Sequence, residues 1–161
     1  MKKIFLFFVM FSVLSNAQYL VEDFDDNQST TNEVTGVQIE FDMSNHLEHL
    51  RLKCSNSTYA EFPGGETAFK KVLFKNMMAY LTNDMYAVNG TFTFLFEIGK
   101  DGKVKSFSLL PKVTNGDILF EDINFAVKKI NETWKPGTCD GIPVESKVRL
   151  KVNFKTENYD R

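Results

Sequence analysis

The chain has few of the residues that characterise several classes of protein. Among its 161 residues are two cysteines, two histidines, one tryptophan and four prolines, and the formal charge is only −2. Two cysteines are too few for a disulfide-rich miniprotein, and the composition excludes collagen-like, coiled-coil and disordered chains. Nucleic-acid-binding domains carry a clearly basic face, which a chain this close to neutral gives no reason to expect. We therefore expect one globular domain that does not bind nucleic acid.

Long hydrophobic runs are also missing, and the one apolar stretch is short. Two lysines precede the largely apolar residues 4–14, and Ser15-Asn16-Ala17 follows them. This arrangement is typical of a secretory signal peptide that is cleaved after Ala17. A membrane anchor is the alternative, but eleven helical residues span about 16 Å, roughly half of the hydrocarbon core of a bilayer. The sequence predicts an exported protein, periplasmic or secreted, with residues 1–17 removed.

Basic residues are missing from the front of the mature chain. Residues 18–50 contain eight acidic residues and no lysine or arginine, whereas residues 51–161 contain 17 basic and 13 acidic residues. Residues 18–36 are polar and have few groups to bury, which predicts an acidic flexible segment. The opposite charges of the two parts also support a hypothesis in which the acidic front folds back over the basic body.

Residues 37–60 are predicted to form an N-terminal extension. Apolar and polar residues alternate where it begins, which favours a strand. The apolar members are Val37, Ile39, Phe41 and Met43. A similar alternation over residues 50–54 favours a hairpin that turns near Ser44, and a short helix over residues 46–53 is the alternative.

Residues 61–155 are predicted to contain a helix, two strands, a second helix and a third strand, in that order. The predicted elements are a helix over 66–81, strands over 92–98 and 103–110, a helix that Asp117 caps and Pro136 ends, and a strand over 144–155. Apolar residues recur every three or four positions in the helices and alternate with polar residues in the strands. We predict an α+β domain, a small antiparallel three-stranded sheet packed on two helices, with a short tail at 156–161.

Five short motifs follow one another along this domain. They are Glu61-Phe62-Pro63-Gly64-Gly65, the alternating segment Gly90–Ile98, Lys100-Asp101-Gly102-Lys103-Val104, Trp134-Lys135-Pro136-Gly137 and Gly141-Ile142-Pro143-Val144. Together they resemble the C-terminal domain of the TonB family, in the form with a Phe-Pro-Gly-Gly lead-in, over residues 62–154. The resemblance implies a periplasmic domain that grips a short extended segment of an outer-membrane transporter.

The resemblance also implies where the partner segment binds. Strand addition uses main-chain hydrogen bonds for attachment and alternating side chains for selectivity. The residues carried over as the partner-binding edge strand are Lys147, Val148, Arg149, Leu150, Lys151 and Val152. Their basic side chains favour an acidic or neutral partner, although basic residues on an edge strand also prevent unwanted pairing. An exposed edge of this kind also allows a strand-swapped homodimer.

An energy transducer would need a membrane anchor and a stiff, proline-rich spacer. Residues 18–60 contain no proline, and the apolar start is predicted to be cleaved. We therefore expect a stand-alone exported protein-binding module that reaches a membrane only through its partner. No cofactor, metal ion or catalytic residue is expected.

The two cysteines and two histidines supply the remaining candidates. Export places Cys54 and Cys139 where disulfides persist, and their even number favours a bond between them, with two free thiols as the alternative. His46, His49 and Cys54 carry the rival hypothesis of a small secreted hydrolase or metal-binding protein. A catalytic zinc site usually has three protein ligands, and a disulfide would remove Cys54 from this set. Surface histidines are the simpler interpretation.

Overall fold

A computed structural model of the chain describes residues 37–81, 85, 87–114 and 116–158. The predicted signal peptide (1–17) and acidic segment (18–36) lie outside these residues. The helices of the described part are α1 (Gly65–Tyr80) and α2 (Asp117–Lys128). Its strands are β1 (Val37–Asp42), β2 (Glu48–His49), β3 (Ser57–Thr58), β4 (Gly90–Ile98), β5 (Val104–Leu110), β6 (Thr138–Cys139), β7 (Ile142–Pro143) and β8 (Ser146–Asn158).

An antiparallel main sheet with the strand order β1-β8-β4-β5 forms the centre of the fold, and β2 also pairs with β8. Alternate residues of the strands are buried on one face of this sheet, and both helices pack on that face. The buried apolar residues of β4, β5 and β8 are Phe92, Phe94, Phe96, Ile98, Phe107, Leu109, Val148, Leu150, Val152 and Phe154. The α+β fold class and the antiparallel sheet are confirmed. The main sheet has five strands instead of three, because the N-terminal extension contributes two.

The first part of the N-terminal extension pairs with β8 and not with itself. β1 lies antiparallel to residues 153–158, and β2 lies antiparallel to Val148 and Arg149. The predicted strand over 37–43 therefore forms, but neither the hairpin near Ser44 nor the helix over 46–53 does. Residues 37–50, called the strap from here on, follow β8 as one extended segment. β8 continues to Asn158, so residues 156–158 of the predicted tail belong to this strand.

The two helices differ in how well their ends match the prediction. α1 agrees within one residue at each end. α2 runs from Asp117 to Lys128, and Gly116 occupies the N-cap position that was predicted for Asp117. Trp134 fitted the helical spacing, yet it lies in an extended segment and is only 2% exposed. Its backbone N–H donates to the Gly102 carbonyl at 2.9 Å, which holds this segment away from a helical path.

Three of the sequence motifs contact one another in the core. The rings of Phe62 and Trp134 pack edge to face with their centroids 5.2 Å apart, and Glu61 forms a β-bridge with Lys135. Gly102, in the turn between β4 and β5, is hydrogen-bonded to Trp134. These motifs therefore have packing roles. A small second sheet of β3, β6 and β7 lies beside them, and the sequence pattern did not predict it.

Candidate functional site

β8 contains all six residues of the predicted docking strand, and it lies inside the main sheet. β4 pairs with it from Ser146 to Phe154 on one side. The strap covers its other side through β1 and β2, and between them the side-chain amide of Asn45 donates to the Lys151 carbonyl at 3.2 Å. The prediction that Lys147, Val148, Arg149, Leu150, Lys151 and Val152 form a free edge is therefore wrong. Residues 37–50 supply the neighbour that the resemblance assigned to a partner.

Two of the three basic side chains on this part of β8 have acidic partners within the chain. Arg149 Nε donates to Glu48 Oε2 at 2.8 Å, and this hydrogen bond lowers the pKa of Glu48. Lys147 Nζ lies 3.8 Å from Glu97 Oε1 on β4. Such exposed pairs contribute little to stability, but they neutralise the positive charge that was expected to attract a partner. Glu48 belongs to the acidic front, so part of that front does lie over the basic strand.

The strap is anchored in the core by large apolar side chains. Ile39, Phe41 and Met43 are buried, and the ring centroids of Phe41 and Phe74 are 5.0 Å apart. Burial of each such side chain is worth about 1.5–3 kcal/mol, so releasing all three would cost roughly 5–9 kcal/mol. That cost approaches the whole stability of an ordinary domain. The strap is therefore a firmly held part of the fold and does not detach readily from β8.

The predicted disulfide is confirmed. Cys54 and Cys139 are bonded, with their Cα atoms 5.8 Å apart, and the bond joins the segment after the strap to β6. The bonded Cys54 sulfur cannot serve as the thiolate ligand that the metal-binding hypothesis required. Of the two histidines, His46 Nδ1 lies 3.5 Å from Glu66, while His49 stacks on Tyr59 with a centroid distance of 5.0 Å. No cluster of three or more His, Cys, Asp or Glu suited to a metal ion occurs among the described residues.

β5 is the edge of the main sheet that lies farthest from the strap. Among the described strands, β4 is the one that pairs with β5. A three-stranded sheet made of β5, β4 and β8 has two edges, and the family resemblance selected β8. Because the strap covers β8, the edge that the body of the domain leaves open is that of β5.

The direction of the hydrogen bonds in the sheet can be followed from the strap. Leu50 N–H donates to the Lys147 carbonyl at 2.9 Å, so Lys147 turns its backbone groups toward the strap. Residues of an antiparallel strand point their backbone N–H and C=O alternately to one neighbour and to the other. Glu97, which faces Lys147 across β4 and β8, therefore turns its own N–H and C=O toward β5.

The same alternation identifies the open groups of β5. Glu97 faces Ser106, so Ser106 is hydrogen-bonded to β4, and Ser108 two positions on is bonded in the same way. Phe107 and Leu109 consequently direct their N–H and C=O to the outer edge while their side chains are buried in the core. This edge can accept the backbone of another strand without disturbing the existing sheet.

A groove runs between this edge and α2. It consists of two adjoining concavities of about 360 and 450 Å³, both of which include Phe107 in their walls. The first lies between Lys103–Phe107 and residues 124–133, and the second lies between Phe107–Val113 and Gly116–Phe120. The groove therefore follows the whole length of β5.

No family of known proteins, no curated protein and no solved structure matches this chain. Neither helix in the described part of the chain has the length and apolar character needed to span a membrane.

The candidate binding site is the open edge of β5 together with the groove beside it.

Proposed function

We propose that the protein is an exported protein-binding module that adds an extended partner segment to the outer edge of β5. The observation that carries this proposal is the open edge, at which Phe107 and Leu109 present backbone donors and acceptors beside α2. Edge strands next to a helix bind extended peptides by main-chain pairing, and the neighbouring groove selects side chains.

Two further features of β5 favour specific over indiscriminate pairing. Lys105 is the extra residue of a β-bulge, because Glu97 pairs with Ser106 and Ile98 pairs with Val104. Bulges and lysines limit unspecific association at sheet edges. Residues of α2 border the groove along β5, so an added segment would also contact the helix. The regular part of the edge, residues 106–110, is left for a partner.

The disulfide and the sequence motifs support an exported module of this class. Disulfides persist in the periplasm and outside the cell, which agrees with the signal peptide predicted at residues 1–17. The resemblance to the TonB C-terminal domain supports strand addition as the mode of binding and a segment of an outer-membrane transporter as one kind of partner. In this chain the strap holds the edge of β8, and the partner is assigned to β5.

Amide hydrogen exchange of the mature protein, alone and with an eight-residue peptide selected from a random display library, tests the open edge. We expect the Phe107 and Leu109 amides to exchange fast in the free protein and at least tenfold more slowly with the peptide. The amides of Ser106 and Ser108, which are bonded to β4, should be protected in both states and serve as internal controls. Protection of all four amides in the free protein, or peptide-induced protection elsewhere in the chain, would contradict the proposal.

A pair of substitutions at one position separates backbone pairing from side-chain packing. Leu109→Pro removes the outward N–H, whereas Leu109→Ala removes the same buried side chain and keeps the N–H. We expect both variants to lose stability, and peptide affinity to fall at least tenfold further in the proline variant. Equal affinities for the selected peptide, measured by fluorescence anisotropy, would exclude strand addition at this edge.

A further inference from the structure

The groove beside β5 differs in chemistry between its two ends. At the end where β5 finishes, Leu110 and Val113 are 45% and 43% exposed, and the Phe120 ring stacks on Phe107 with a centroid distance of 5.9 Å. All of these residues border the larger concavity, with the Leu110 side chain on the face of the sheet opposite to that of the buried Leu109. Exposed apolar side chains that gather at one place mark a contact site more often than scattered ones do.

The other end of the groove is basic. Lys103 and Lys105 line it from the β5 side and Lys128 lines it from the last turn of α2, with Glu132 as the acidic residue in this wall. The ion pair with Glu145 raises the pKa of Lys105 and keeps that side chain charged. Within the described residues, neither Lys103 nor Lys128 has an acidic oxygen within 4 Å. Two positive charges at this end are thus available to a ligand.

The distance between the two ends sets the spacing that a partner must match. Lys103 lies seven positions before Leu110, and Lys105 between them is the extra residue of the β-bulge, so the two ends are about six strand steps, roughly 20 Å, apart. A segment paired with β5 would therefore pass from the apolar end to the basic end within about six of its own residues. An antiparallel segment enters at the Leu110 end, because the two chains run in opposite directions. Every pairing in the main sheet is already antiparallel.

We propose that the partner segment is an extended peptide that runs antiparallel to β5, with bulky apolar residues first and carboxylates about six positions later. This inference rests on the proposed function and adds the chemistry of the ligand to it. Neighbouring residues of the segment face opposite sides of the sheet, so one apolar residue lies beside Leu110 and the next lies beside Val113 and Phe120. The carboxylates lie beside Lys103 and Lys128, where opposite charge fixes the direction of the bound segment.

Two synthetic peptides of identical composition test this direction. The forward peptide is Leu-Leu-Thr-Val-Thr-Glu-Thr-Glu, and the reverse peptide has the same residues in the opposite order. We expect the mature protein to bind the forward peptide at least tenfold more tightly in fluorescence anisotropy, with protection of the Phe107 and Leu109 amides. Equal affinities would overturn the proposed direction, and failure of the forward peptide to bind would overturn the proposed ligand chemistry. Binding of both peptides with protection of these amides would leave the proposed function intact.

Charge reversal on α2 tests the basic end. Lys128→Glu should lower the affinity for the forward peptide about tenfold, whereas Lys75→Glu, the same charge change on the exposed face of α1, should leave it within twofold. Equal effects of the two variants would show that only the net charge matters and would overturn the assignment of the carboxylates to this end.

The chain itself offers one competing occupant, since its residues 19–26 read Tyr-Leu-Val-Glu-Asp-Phe-Asp-Asp, apolar first and acidic afterwards. Protection of the Phe107 and Leu109 amides in the free mature protein would assign the groove to this segment and overturn the external ligand. A rise of that protection with protein concentration would assign the groove to the segment of a second copy, with the same consequence.

Discussion

Gly102 connects the main sheet to the segment that follows α2 through its hydrogen bond with Trp134. Its φ of +76° lies in the left-handed region, and a Cβ at this position would overlap the Trp134 carbonyl oxygen. Gly141 has a similar φ of +82°, but a Cβ there would meet no atom within 4 Å. The two glycines therefore share the backbone requirement and differ in the space around them.

Alanine at these two glycines should have unequal effects. Gly141→Ala should lower the free energy of unfolding by about 1–2 kcal/mol, the cost of a side chain in the left-handed region. Gly102→Ala should lower it by a further 1–3 kcal/mol or so, because the Trp134 segment must also move. Urea unfolding of the two variants measures the difference, and equal losses would show that the contact with Trp134 is easily relieved.

Titratable residues in and beside the strap should make stability depend on pH, among them His49 and Glu66. Burial lowers the pKa of His49, so its neutral form is favoured in the folded chain. Burial raises the pKa of Glu66, but hydrogen bonds from Lys70 and from the Leu47 N–H outweigh burial and leave that pKa lowered. Both groups bind protons more readily in the unfolded chain, so stability falls as the pH falls.

The loss of stability in acid should occur in two steps. The first begins as the pH falls below the unfolded pKa of His49, about 6.5, and the second begins below that of Glu66, about 4.5. His49→Phe, which keeps a ring against Tyr59, should remove the first step, and Glu66→Gln should reduce the second. Thermal unfolding between pH 7.5 and 3.5 measures both steps, and an unchanged profile in the His49 variant would assign the first step to another group.

At the scale of elements, the strap has the role of a permanent sheet strand. Its apolar residues lie in the same core as α1 and β8, and Glu66 in the first turn of α1 accepts a hydrogen bond from the Leu47 N–H at 3.0 Å. The strap therefore belongs to the same folding unit as residues 61–155. The prediction of an N-terminal extension over 37–60 used the alternation of side chains alone, which could not identify the neighbour of its strand.

Phe41→Ala should destabilise the protein by about 3–5 kcal/mol, the usual cost of emptying a buried phenylalanine site. Phe125→Ala is the matched control, since the same substitution at this half-exposed position on α2 should cost under about 1 kcal/mol. Chemical unfolding of both variants measures the difference. A small effect at Phe41 would mean that the strap contributes little to the core.

At the scale of the whole molecule, the disulfide joins the segment that follows the strap to the segment that leads into β8. The two cysteines are 85 positions apart, and β3, α1, β4, β5 and α2 lie between them. Closing a loop of that length restricts the unfolded chain far more than the folded one.

Reduction of this bond should lower the free energy of unfolding by up to about 4–5 kcal/mol in the chain-entropy description. Thermal unfolding with and without a dithiol reductant measures the effect. The double variant Cys54→Ser, Cys139→Ser should unfold at the lower temperature of the reduced protein and should not respond to the reductant. A wild-type protein that is insensitive to reduction would show that the loop closure contributes little.

The periodic elements were predictable because their own side chains carry the signal. α1, β4, β5 and β8 repeat apolar residues at the helical or strand period, and each begins within about two residues of its predicted start. The spacing of Trp134 matched the period of α2 by coincidence. Its hydrogen bond to Gly102 holds it in a non-helical segment beyond the end of α2. The docking strand was predicted from the family resemblance. The alternation of side chains predicted a strand where the strap begins, but it did not show that this strand pairs with β8.

The amino-acid sequence by itself determined which side chains face the core, where helices and strands alternate along the chain, and that two cysteines were available for one bond. Only the tertiary structure decided which strands are neighbours. Main-chain hydrogen bonds are nearly the same for every residue, so the alternation of side chains specifies the two faces of a strand and not its two edges. The strap's position on β8 and the open edge of β5 are both properties of those edges.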